Sequence, residues 1–189
     1  MPPIDFRSVT AALGCRLRRD TTFGSFYPRK GAIFNFTGDL FAQALGSNRT
    51  YQSYEASYNG YKSVGKKQVV AYRAMACSVS DRAPFFDLCS YGSSSDLRAY
   101  TTGEFQNRRM FATQIWFRQE LPFRLGVVGF GGVGGVARRW NEFRFDDLFP
   151  AAGVGLRFNL DKTNHINYRI DLGFGRTGRT LSMSVSEAF

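Results

Sequence analysis

Val154-Gly155-Leu156-Arg157-Phe158-Asn159-Leu160, the polar turn Asp161-Lys162-Thr163-Asn164, and the run Ile166-Asn167-Tyr168-Arg169-Ile170-Asp171-Leu172-Gly173-Phe174 decide the fold. In the first run Val154, Leu156, Phe158 and Leu160 alternate with Gly153, Gly155, Arg157 and Asn159. In the second, Ile166, Tyr168, Ile170, Leu172 and Phe174 share one face, while His165, Asn167, Arg169, Asp171, Gly173 and Gly175 share the other. A period of two is the signature of a β-strand whose successive side chains point to opposite sides of a sheet. A second turn, Arg176-Thr177-Gly178-Arg179, precedes Leu181, Met183 and Val185, which alternate with serines, so three consecutive hairpin-linked strands are predicted.

A soluble β-sandwich shows the same alternation, and the direction of the charges separates the two readings. A soluble sheet turns its charged face to water and buries its aliphatics. Here the polar face sets Arg157, Arg169 and Asp171 among glycines, which suits a narrow, ion-paired lumen. The other face carries Tyr and Phe toward strand ends, as in the aromatic girdles of membrane barrels. The predicted fold class is therefore all-β, an antiparallel transmembrane β-barrel.

Working outward, similar segments are readable at 9–20, 31–44, 50–63, 67–79, 109–121 and 123–136, each long enough to cross the hydrocarbon when tilted. With the three C-terminal strands they make nine candidates. Bacterial single-chain barrels carry an even number, so about eight strands are expected: either the first candidate, within an N-terminal segment 1–30, does not span, or the chain is half of a larger barrel. The stretch 80–108, rich in Ser, Gly and Asp, is read as one long loop, and such loops are usually functional. A second loop, 137–149, carries Trp140, Phe143, Phe145 and Phe149 between charges, as an extracellular cap or a lipid-headgroup contact.

Composition agrees. A chain of 189 residues is one domain's worth. No apolar run of about 18 residues occurs, so no spanning helix is predicted. The start Met-Pro-Pro-Ile-Asp has neither the basic stretch nor the apolar block of a secretory signal. The chain holds 19 Phe and 9 Tyr, yet its mean hydropathy is slightly negative, as large apolar residues interleaved with polar ones require. The net charge of +10 suits anionic lipid, a polar pore or nucleic acid alike. Cys15, Cys77 and Cys89 follow no metal-ligand spacing and read as structural thiols, with a Cys77–Cys89 disulfide as the alternative.

Motifs of soluble enzymes fail on context. Gly129-Phe130-Gly131-Gly132-Val133-Gly134 matches a dinucleotide fingerprint, but no amphipathic helix opens after it, and it reads better as a glycine-rich strand allowing close approach. Asn48-Arg49-Thr50 is a chance-level glycosylation triplet. His165, the one histidine, sits at a turn and is a poor general base. Asp20, Asp39, Glu55, Glu120 and Asp171 read as ion-pair partners rather than catalytic pairs. No enzyme activity, cofactor or metal is expected.

Asp96-Leu97-Arg98-Ala99-Tyr100, following Phe85-Phe86 and Gly92-Ser93-Ser94 in the long loop, resembles the Val-Arg-Gly-Phe/Tyr loop motif of the bacterial surface antigen superfamily of outer-membrane barrels. That superfamily includes barrel-assembly and translocation-assembly proteins and two-partner secretion transporters. Arg19-Asp20 with Phe26-Tyr27-Pro28-Arg29-Lys30-Gly31 resembles its Asp-Arg…Phe-Pro…Gly hairpin, and Gln114-Ile115-Trp116-Phe117-Arg118 its Gln-x-Glu-Tyr-Arg strand. Gly153-Val154-Gly155-Leu156-Arg157-Phe158 is similar to its strand near the C-terminus, and Phe189 to the terminal aromatic barrel signal. Three departures stand out: Ala99 for the motif glycine, Trp116 for a glutamate, and Gly131-Gly132 where an aspartate is usual.

The resemblance implies that 80–108 folds inward, docked through Arg98 and Tyr100; because the customary acids are replaced, either Asp171 or Glu120 partners Arg98 or the loop lies differently. The lumen charges would be Arg73, Arg118, Glu120, Arg157, Arg169 and Asp171. It implies an outer-membrane scaffold of a protein assembly or translocation factor. The alternative is a small structural or adhesive barrel binding lipopolysaccharide or a partner protein. Expected partners are outer-membrane lipid, lipopolysaccharide, client barrel proteins and, to cover open edges, a second copy of the chain; nucleic acid is not expected. The chain resembles only the second half of a sixteen-stranded barrel, so it is read as a fragment, a shortened barrel that closes on itself, or a subunit that completes itself by pairing, since open edges are not tolerated in lipid.

Overall fold

The structure, a computed structural model, describes residues 8–23, 27–92, 99–100, 103–161 and 166–185; the side chains of residues 161 and 166 are not described. Every predicted segment forms a strand. The main sheet runs β1 (Ala12–Asp20), β2 (Gly31–Phe41), β3 (Tyr51–Ser63), β4 (Gln68–Val79), β7 (Arg109–Glu120), β8 (Leu125–Ala137), β9 (Phe149–Asp161), β10 (Ile166–Gly175) and β11 (Gly178–Val185). Neighbours in this order pair antiparallel, in a nine-stranded meander. Two three-residue strands, β5 (Cys89–Tyr91) and β6 (Phe105–Asn107), make a separate ribbon inside the 80–108 stretch. β9 starts at Phe149, four residues before the alternation shows; Pro150 reads as a strand breaker in sequence but pairs in register with Val133.

Connections differ between the two ends. Residues 64–67 and 121–124 connect strands at the end that also holds 27–30, here the short-turn end; 42–50, 80–92, 103–108 and 138–148 lie at the other, here the long-loop end, together with the two-residue turn between β10 and β11. Among the described residues no pairing joins β1 to β11, so the sheet is open, as expected of half a barrel.

The alternation sorts as predicted. Leu13, Leu17, Leu40, Tyr54, Tyr72, Ile115, Phe117, Val127, Val154, Leu156, Phe158 and Leu181 are exposed on the outward face. So continuous an apolar belt is untenable in water and natural in hydrocarbon. Inward residues are polar or small on β9 and β10, with Arg157, Asn167, Arg169 and Asp171 buried there, while those of the other strands and of the loop bury in two layers rich in aromatic side chains. The layer toward the long loops holds Tyr51, Val79, Tyr91, Tyr100, Met110 and Ala151; the layer toward the short turns holds Tyr61, Ala71, Trp116, Val128 and Phe130.

One expectation is corrected. Cys77 and Cys89 are not thiols but a disulfide, with Cys15 the free, exposed cysteine. Spacing alone cannot reveal the pair; β4 and the ribbon bring the two Cα atoms to 5.7 Å. The cross-link closes a loop with a sequence separation of 12 and ties the ribbon to the barrel wall. Replacing both cysteines by Ala is expected to lower stability by about 2–4 kcal/mol and to speed proteolysis within 80–108, read by urea unfolding in vesicles and by timed digestion.

Candidate functional site

The inward face carries three arrangements, and the first is the docked loop. Tyr91 and Tyr100 are both buried against the sheet. The Tyr91 hydroxyl donates to the Phe149 carbonyl at 2.8 Å, and the Tyr100 hydroxyl donates to the Pro150 carbonyl at 2.6 Å while accepting from the Arg176 backbone N–H at 3.0 Å. Phe149 and Phe105 stack at 4.1 Å between ring centres, with Tyr100 edge-on to both. Two glycines make room. A Cβ on Gly134 would sit 2.5 Å from the Tyr91 ring and 2.3 Å from the Phe111 carbonyl oxygen, and one on Gly175 would sit 2.8 Å from Tyr100 Cζ. The glycine-rich β8 thus permits close approach, as its sequence suggests.

The second arrangement is an ion cluster on β9 and β10. The Arg157 guanidinium donates to Asp171 at 2.5 Å, and Arg169 lies 3.8 Å from the same carboxylate. All three residues are buried. Gly155 pairs opposite Asp171, and a Cβ there would lie 2.0 Å from the Asp171 carboxylate oxygen. The glycine in the alternating pattern is therefore the space that admits the acid.

The third lies at the short-turn mouth. Arg118 is buried, with its guanidinium 4.5 Å from the Tyr27 ring centre and 5.6 Å from that of Tyr61. It donates to the Pro28 carbonyl at 2.7 Å. Arg29 pairs with Glu120 and donates to the Lys66 carbonyl at 2.6 Å. A cavity opens beside it, lined by Tyr27, Glu120, Arg124, Arg157, Asn159 and Asn167.

Of the predicted residues, Arg157, Arg169 and Asp171 come together, and Tyr100 docks on the wall. Arg118 and Glu120 sit at the mouth with separate partners. Arg73 stands apart, donating to the Asn59 side chain at 3.0 Å and facing the Met75 sulfur at 3.6 Å. Arg98 and Phe189 lie outside the described residues, as does His165. Sequence reasoning missed Tyr91, Phe105, Tyr27, Arg29 and Tyr61. Tyr91 is flagged only by the short alternation Cys89-Ser90-Tyr91, Tyr27 and Arg29 only by the hairpin motif they belong to, and Phe105 and Tyr61 only by a spatial proximity that no local pattern encodes. Among the described residues, no group of three or more His, Cys, Asp or Glu side chains is placed to hold a metal ion.

Comparison with known proteins agrees with this geometry. No curated protein matches the chain in sequence. Among solved structures, BamA from Haemophilus ducreyi lacking POTRA domains 1–3 superposes with a TM-score of 0.72 at 14% identity, over 93% of this chain and 41% of that one. The chain thus spans less than half the length of the solved protein it resembles, and the likeness is one of fold. The Omp85 superfamily domain matches residues 5–164, which takes in the loop, the mouth and, of the ion cluster, Arg157: the chain belongs to the Omp85 superfamily.

Proposed function

We propose that this outer-membrane sheet is the membrane module of a protein assembly or translocation factor, acting as a scaffold without covalent chemistry. The observation that carries the reading is the loop held inside the sheet, with Tyr91 and Tyr100 buried on the β9 carbonyls and the Cys77–Cys89 bond fixing the ribbon's start. A loop pinned to the inner wall is the arrangement expected from the resemblance to assembly and translocation barrels.

The test is reconstitution into liposomes with an unfolded client barrel. The reading expects faster client folding than in empty liposomes, and slower folding again for the loop-loosened Tyr100→Ala variant. Equal rates with and without the chain would overturn it in favour of a structural barrel. That second reading has one observation behind it: Trp140 and Phe145 are exposed at the long-loop end, among exposed Arg138, Arg139 and Arg144 and exposed Glu142, Asp146 and Asp147, a mixed aromatic and charged rim suited to contact with lipid headgroups or a partner protein. Either role requires the β1 and β11 edges to be covered in lipid by other strands of the same protein or a second copy.

A further inference from the structure

We infer that the short-turn mouth is a binding site for an extended polypeptide segment with an aromatic–X–basic pattern, self-occupied here by Tyr27-Pro28-Arg29. The inference deepens the proposed function by naming what the lumen takes at that end.

The site is built on rigid strands and its occupant on a connection. Arg118 and Glu120 belong to β7 and Tyr61 to β3, while Gly65 and Lys66 form the β3–β4 turn. Tyr27, Pro28 and Arg29 belong to the residues leading into β2, with Glu120 a full 91 positions from Arg29. Each occupant residue fills a distinct subsite. The Tyr27 ring covers one side of the Arg118 guanidinium, the Pro28 carbonyl accepts its N–H, and the Arg29 guanidinium reaches Glu120 and the Lys66 carbonyl. The Ser63 hydroxyl donates to the Arg29 carbonyl at 3.1 Å, holding the backbone.

These contacts read a ring, a backbone acceptor and a cation in sequence, and nothing about them requires the occupant to be covalently attached. The physical demand comes from Arg118. It is buried, and among the described residues no carboxylate pairs with it. Once Tyr27-Pro28-Arg29 leaves, the guanidinium loses the Tyr27 ring and the Pro28 carbonyl, two contacts that a segment presenting a ring and a carbonyl in the same order restores. The anchoring ion pair is partly exposed, with side-chain exposures of 32% and 37%, so salt weakens it and a competing cationic segment can displace it.

The experiment uses the full chain in vesicles and a synthetic peptide with the sequence of residues 27–31. Trp116, in the apolar layer two positions from Arg118, reports by fluorescence in a Trp140→Phe background, since the chain has 2 tryptophans. The peptide is expected to bind the Tyr27→Ala/Arg29→Ala chain at least ten-fold more tightly than the unaltered chain. A peptide with Ala at its tyrosine and arginine should not bind, and Arg118→Met should abolish binding. If the double variant fails to fold, Arg29→Ala alone is expected to show an intermediate gain. Equal peptide affinity for chains with and without the native segment, binding that survives Arg118→Met, or no binding to the vacated site overturns the inference. Client-folding rates are a separate readout, so failure of the proposed function is distinguishable from failure of this site.

Discussion

Replacing Asp171 by Ala is expected to destabilise the sheet by about 3–5 kcal/mol, the usual consequence of removing one partner from a buried ion pair. The Asp171 side chain has 0% exposure, and those of Arg157 and Arg169 have 4% and 7%. Without the carboxylate, two like charges face each other across paired strands, at Arg157↔Arg169 in the register. Asp171→Asn keeps the shape and loses only the charge, so a smaller loss of about 1–3 kcal/mol is expected. Urea unfolding in vesicles, with heat-modifiable gel migration as the folded signature, measures both. Equal stability of Asp171→Ala and the unaltered chain would show that the cluster is surface-like and the lumen wet.

Tyr100→Ala is expected to cost about 3–5 kcal/mol, typical of emptying a large buried aromatic site. It removes the ring contacts with Tyr91, Phe105 and Phe149 and both hydroxyl hydrogen bonds. Tyr100→Phe isolates the hydroxyl and should cost about 1–3 kcal/mol, because the Pro150 carbonyl and Arg176 N–H lose their partner. The two substitutions should also differ in protease sensitivity within 80–108: strongly raised for Ala, nearly unchanged for Phe. A loop equally resistant in all three chains would mean that the disulfide alone holds it.

The strands of the main sheet were legible because the rule of alternation has eight or more residues in which to show. Where Leu156, Phe158, Ile170 and Leu172 alternate with Arg157, Asn159, Arg169 and Asp171, a one-residue slip would turn every charge into lipid, so pattern and register specify each other. The β5–β6 ribbon escaped notice because three residues are too few to establish a period inside a Ser- and Gly-rich stretch. The Cys77–Cys89 pair needed the ribbon to be seen first. The ion cluster was half legible: alternation put Arg157, Arg169 and Asp171 on one face, but only strand pairing sets Gly155 opposite the carboxylate. The mouth was least legible, since Arg29 and Glu120 meet through the turn of the whole sheet rather than any local spacing.

The most direct test of the account is which face of β9 and β10 touches lipid. Nitroxide labels on Leu156→Cys and Leu172→Cys, in a Cys15→Ser chain reconstituted in vesicles, should relax readily with membrane-dissolved oxygen and weakly with a water-soluble nickel complex. Labels shielded from oxygen in a dry protein interior, in a chain that folds freely in plain buffer, would contradict it.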